Sequence, residues 1–185
     1  LITVLIVYCK QRGVDMMNKN LVDAINTQIN YEIESAHVYL AMQSYISTLG
    51  LDGFENWFGI QFEEELAHAR KFIKYMNDRG ARVEIRGFED PRNEFSSILE
   101  VLEVSLAHEK GVTDRINNLM TIAHEVKDYA AVSLLQWYVD EQVEEESGVQ
   151  TLLDQLKMVE VKGNGLFMID KDLGQRVFVD ATAQK

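Results

Sequence analysis

Four glutamates interrupt four apolar patterns at the same point. Stepping by threes and fours, Ile25, Ile29, Ala36 and Tyr39 carry Glu32 between them, and Phe58, Phe62, Ala69 and Phe72 carry Glu65. Leu102, Leu106, Val112 and Ile116 carry Glu109; Leu134, Tyr138, Val149 and Leu152 carry Glu141, Gln142 and Glu145. A carboxylate aimed into a core without a partner is costly enough to shift its pKa by several units, and no Lys or Arg lies on these stripes near the acids. The pattern therefore requires shared protons or buried cations. Charge balance favours cations: Glu32, Glu65, Glu109 and Glu145 match two divalent ions, with His68 neutral.

His68 stands three residues after Glu65, on the same helical face and within reach of one ion. Glu34 and His37 repeat that spacing, but Glu34 points off the stripe, so His37 is read as a solvated surface residue. His108 and His124 have no acid three residues before them and are read as exposed. Oxygen-rich ligation with one imidazole suits iron or manganese better than zinc and leaves positions open for oxygen. Tyr39, one heptad after Glu32, is either a core aromatic or a hydrogen-bond donor to a metal-bridging carboxylate. Glu64, Glu141 and Glu144 add acids beside Glu65 and Glu145. They mark either a third, more open cation position or an acidic solvated face.

Holding these acids inward takes long helices, and the punctuation permits them. Pro91 is the only proline, and Leu21 to Leu49 contains neither Pro nor Gly. Start signals at Asn20, Asp52, Ser97 and Asp128, with stops at Gly50 and Gly80, give four helices of roughly 27 to 31 residues, about 40 to 46 Å each. Short links at Gly50–Asp52 and Glu125–Asp128 make the first two and the last two helices antiparallel pairs. The stretch from Gly80 to Ser96, extended at about 3.3 Å per residue, spans a helix length, so the second and third helices run parallel. The expected fold is all-α: a four-helix bundle with one long crossover and a short fifth helix over Leu166–Leu173.

Length and charge exclude other classes. The 185 residues suit one domain, and 30 acidic against 18 basic residues give a net charge of −12, which opposes nucleic acid and anionic lipid. The longest apolar run, Leu1 to Tyr8, is too short to span a bilayer. Cys9 is the only cysteine, so no intrachain disulfide is expected and a reducing cytoplasm is the natural compartment. Residues 1–16 are read as an extension without fixed structure, 17–179 as the bundle domain and 180–185 as a tail.

Asn30-Tyr31-Glu32, Glu64-Glu65-Leu66-Ala67-His68, His108-Glu109 and the run from Gln136 to Glu146, at these separations, resemble bacterial nonhaem ferritins from about Met17 to Val179. The resemblance implies a shell of 24 subunits that oxidises ferrous iron with O2 or peroxide at a di-iron centre in each bundle and stores ferric mineral inside. Residue by residue it implies Glu32 and His68 on the first iron, Glu65 bridging, Glu109 and Glu145 on the second, Gln142 beside the oxygen-binding side and Tyr39 next to the centre. Similarity to bacterial ferritins with an additional iron site supports a third iron at Glu64, Glu141 and Glu144. Bacterioferritins, which bind haem, and di-iron oxidases or oxygenases of organic substrates show a second Glu-x-x-His on the last bundle helix. Here Gln142-x-x-Glu145 occupies that region, and no haem is expected. Rubrerythrins carry a CxxC-type iron domain, which one cysteine excludes. A metal-free interaction bundle would leave the core carboxylates unexplained.

Overall fold

Asn18, Ser97 and Asp128 each accept a backbone N–H of the turn that follows, and the chain coils into helix at each. The computed structural model describes residues 17–183, and the readings of residues 1–16 and of Gln184 and Lys185 lie outside it. The helices are α1 (Lys19–Ser47), α2 (Asp52–Asp78), α3 (Ile98–Glu125), α4 (Tyr129–Met158) and α5 (Gly163–Leu173), followed by a 3-10 turn at Ala181–Ala183. The expected four-helix bundle with a short C-terminal helix is present, and no strand occurs among the described residues. Nor is any helix there long and apolar enough to cross a membrane. Boundaries differ in two places: α1 starts from Asn18 rather than Asn20, and α5 begins at Gly163, ahead of Leu166.

Two apolar clusters fix the helix directions. One gathers Ile25 and Ile29 of α1, Phe72 of α2, Ile116 of α3 and Leu135 of α4; the other gathers Met42, Phe58, Leu102 and Leu153. The early part of α1 thus meets the late parts of α2 and α3 and the early part of α4, so α1 runs against α2, α2 runs with α3, and α4 returns. Fully burying each such side chain is worth about 1.5–3 kcal/mol, so the two clusters clamp the bundle on either side of its middle. Leu135 is completely buried whereas Leu134 is half-buried, which corrects the expected stripe of α4 by one residue. Phe62 and Leu106 likewise sit at the stripe's margin.

The α2–α3 crossover, without regular structure, is pinned to α1 by two asparagines one turn apart. Asn26 donates to the Arg82 carbonyl (3.0 Å) and accepts from the Glu84 amide (2.8 Å). Asn30 donates to the Glu84 carbonyl (2.7 Å) and accepts from the Arg86 amide (2.6 Å). Each amide side chain supplies the donor and acceptor that a neighbouring strand would, which satisfies extended backbone over the helix surface.

The start of α2 is capped from outside itself. Leu51, at its N-cap, has no side-chain oxygen, and Asp170 of α5 accepts instead from the amides of Gly53 (2.9 Å) and Phe54 (3.0 Å). Gly53 is required by this docking, since a Cβ there would lie 1.6 Å from the Asp170 carbonyl oxygen. Gly53→Ala should therefore destabilise the protein by about 1–3 kcal/mol despite alanine's better helix propensity. Asp170→Ala should cost about 1 kcal/mol through the lost cap. Urea melts of both variants check this, and an unchanged midpoint in both would dismiss the cap.

Candidate metal centre

The bundle's middle layer, between the apolar clusters, is where the four helices present acids. Glu32 and Glu109 are essentially inaccessible, Glu65 and His68 are buried, and Glu145 is half-buried. Oxygens of Glu32 and Glu65 and a nitrogen of His68 lie within 4.8 Å of one another, as do ligand atoms of His68, Glu141 and Glu145, and of Glu65, His108 and Glu109. Glu64 and Glu144 belong to no such group among the described residues. Glu64 is paired with Arg176, and Glu144 is exposed.

Glu32, Glu109 and Glu145 are held by hydrogen bonds. Gln28, one turn before Glu32, donates to its Oε1 (3.0 Å). Glu109 accepts from the Tyr39 hydroxyl on one oxygen and from Gln142 on the other (3.0 Å). The Tyr39 hydroxyl also lies 3.1 Å from Ser105 Oγ. Gln61 donates to Glu145 Oε2 (2.7 Å). The Tyr138 hydroxyl donates to the His68 carbonyl (2.8 Å), and Trp137 meets the imidazole edge-on at 5.5 Å. Two buried oxygens are left without a hydrogen-bond partner, Glu32 Oε2 and Glu65 Oε2. The latter is 3.7 Å from His68 Nδ1, an ion-pair distance too long for a hydrogen bond.

Several partners escape a reading of the apolar stripes. Gln28, Gln61 and Ser105 each stand four residues before an inward Glu, on the same face, and that register was their signal. His108 is half-buried, not exposed: its Nε2 lies 2.8 Å from Ser35 Oγ on α1, and its ring stacks on Tyr31. Burial and the Arg115 charge push His108 down to about 4, so it is neutral at neutral pH. His37 is also half-buried, against Phe88 of the crossover. His124 is exposed, as read.

Burial dominates the electrostatics. It raises Glu65, Glu145 and Glu109, the last to about 8, with the neighbouring Glu145 adding to the rise at Glu109. For His68 burial works against the charged ring, but the carboxylates of Glu141 and Glu65 outweigh it and push its pKa up. Without cations, the layer is a store of protons.

Overlapping groups of two carboxylates and one imidazole lie in the middle of a bundle with one long crossover. The ferritin-like domain matches residues 22–159. The chain belongs to the ferritin-like family. It is 45% identical over 163 residues to the bacterial non-heme ferritin of Staphylococcus aureus strain USA300, covering 88% of this chain and 98% of that one. It is 42% identical over the same length to the bacterial non-heme ferritin of Staphylococcus haemolyticus. An engineered closed form of the Archaeoglobus fulgidus ferritin superposes with a TM-score of 0.86 at 41% identity, over 88% of this chain and 99% of that chain. The open-pore ferritin of the same archaeon gives 0.85 over 87% and 99%.

The residues of this ferritin-like chain could hold a hard cation. The unpartnered Glu32 and Glu65 oxygens are what a metal would satisfy, and the donors are oxygens with one imidazole. The pH dependence follows. Glu109 binds a proton more tightly folded than unfolded between its ordinary value near 4.5 and about 8, and His68 does so above about 6.5. Both make the metal-free protein less stable as pH rises through those ranges. Melting of chelated protein should drop steadily from about pH 5 to about pH 8, and divalent cation should restore it most at the alkaline end. A melting temperature that climbs over that range without metal would contradict the proton store.

Proposed function

We propose that this chain oxidises Fe(II) with O2 or peroxide at a di-iron centre inside each bundle and stores the ferric product in a closed shell of 24 copies. The observation that carries the reading is the pair of buried, unpartnered oxygens on Glu32 and Glu65 beside His68, in a layer whose acids come one from each helix. Iron is the substrate. Glu32 and His68 would hold one ferrous ion, Glu65 would bridge, and Glu109 and Glu145 would hold the other, balancing the charge. With O2, two Fe(II) supply two electrons and two protons are taken up per hydrogen peroxide released; with peroxide, the same two electrons yield water.

This chain's own groups prepare that exchange. Tyr39 and Gln142 hold both oxygens of Glu109, which orients it toward the layer. The raised Glu65, Glu109 and Glu145 release protons as cations arrive, within reach of the oxygen that needs them. A cavity of about 340 Å³ between α3 and α4, lined in part by Thr113, Ile116, Val139 and Val143, reaches Gln142 and offers a small oxidant a route to it. Glu64, Glu141 and Glu144 with Glu145 would receive a third iron more loosely, since Glu144 is exposed. The charge of −12 draws cations, and the cytoplasm is the compartment that supplies ferrous iron to such a shell. The exposed Phe167 and Met168 of α5, which buries none of its residues completely in one chain, are the surface for subunits to cover.

Anaerobic Fe(II) titration followed by an air pulse tests the centre. The protein should take up two to three ferrous ions per chain and oxidise the first two in a fast phase, in a particle many times the mass of one chain by light scattering. Glu65→Ala should fold yet lose the fast phase, an effect larger than the ~10–100-fold typical of losing an outer partner of a metal ligand. Wild-type stopped-flow rates in that variant would show the bridge misassigned, and a monomer or dimer at micromolar concentration would rule out the shell.

A further inference from the structure

After α5 the chain does not leave the bundle but runs back along α2. Asn56 donates to the carbonyls of Leu173 (3.1 Å) and Arg176 (3.0 Å), and Lys71 donates to the carbonyl of Thr182 (3.4 Å). Between these ties Arg176 turns inward over Trp57. Its Nη2 donates to both oxygens of Glu64 (2.9 and 2.8 Å), and its Nη1 donates to Gln61 Oε1 (2.6 Å). Gln61 then donates to Glu145 Oε2. One guanidinium therefore occupies the first acid outside the centre and, through one amide, holds a ligand of the centre itself.

We infer that Arg176 is an internal competitor for the third cation. Its guanidinium fills the place against Glu64 that a divalent ion needs in order to reach Glu64 together with Glu141 and Glu145. Cation binding there and docking of the strap 174–183 then exclude one another. The inference rests on the third cation position given under Proposed function. The Glu64 carboxylate is already paired through both oxygens with a full positive charge, unlike Glu109, whose two partners are neutral, so a cation gains little there until the pair opens. Arginine stays charged at any working pH, so only a cation of higher charge displaces it. The Arg176 side chain is about one-third exposed (32%), and the strap that carries it is held to α2 by few hydrogen bonds, so once its ion pair opens it can withdraw while the helices stay packed.

The test uses the assembled full chain under argon, with Fe(II) and with redox-silent Zn(II), by calorimetry and by hydrogen exchange of residues 174–183. Wild type, Arg176→Ala, Arg176→Lys and Asn56→Ala should each take up two equivalents. A third should bind about tenfold more tightly in Arg176→Ala. Arg176→Lys, which keeps the charge but loses the fork, and Asn56→Ala, which loosens the strap without removing a charge, should fall between. In wild type the third equivalent should speed exchange of the strap; in Arg176→Ala exchange should already be fast and indifferent to metal. A third equivalent of equal affinity in all four proteins, or a wild-type strap that ignores it, would overturn the competition while leaving the di-iron reading intact. Absence of even the first two equivalents in wild type would overturn both.

Discussion

The structure depends on the balance of charge in a layer of carboxylates at the middle of a bundle. Taking one unpaired charge out of water costs several kcal/mol even after relaxation, whereas a whole domain is stable by only about 5–15 kcal/mol. Four ionised acids with no counter-charge would exceed that margin. The chain meets the constraint without metal by keeping protons: Glu109 is raised to about 8, Glu65 and Glu145 are raised as well, and His68 is drawn toward its charged form. The two divalent cations of the proposed centre would meet the same constraint by replacing those protons. The fold and the proposed chemistry are thus one problem in electrostatics with two solutions.

The remaining architecture makes such a layer tolerable. Apolar clusters on either side supply the stabilisation that the middle cannot, which is why the helices are long: each needs a buried stretch before and after its acid. One turn before each inward Glu stands a polar residue on the same face, Gln28, Gln61, Ser105 and Glu141. Because α1 and α4 run against α2 and α3, these four lie in two pairs, on opposite sides of the acid layer. Gln28 serves its own helix, Gln61 crosses to Glu145, Ser105 adjoins Tyr39 and Glu141 approaches His68. The polar layer is thereby closed by neutral amides and hydroxyls as well as by charge.

What the sequence made legible follows from which residues violate a pattern. Glu32, Glu65, Glu109 and His68 stood out because an acid or imidazole on an apolar stripe contradicts its surroundings, and the structure gathers them in one layer. Gln61 and Gln28 did not, although both are buried, since an uncharged glutamine contradicts a buried face far less than an acid does. Asn26 and Asn30 were unreadable for another reason: their partners, Arg82 to Arg86, lie more than fifty residues along the chain and are backbone groups without a residue signature. His108 was misjudged because its partner, Ser35, is on a different helix. The N-terminus of α2 carried no cap of its own because Asp170 supplies it from α5.

That distant cap gives the C-terminal segment its register. With Asp170 fixed on Gly53 and Phe54, Asn56 can take the Leu173 and Arg176 carbonyls, and the guanidinium then arrives level with Gln61 and Glu64. Helix α2 acts as a ruler, meeting the returning chain in order from its first turn to Lys71. An arginine delivered this way has a high effective concentration at Glu64 while remaining held by few bonds, the condition under which a single positive charge can compete with a divalent ion and still yield to it. Linkage makes the relation reciprocal: whatever a bound cation does to the strap, the docked strap does to the cation by the same factor. A strap that runs along α2 and carries Arg176 to the acid layer would therefore couple how tightly the outer acids hold a cation to how firmly residues 174–183 are docked.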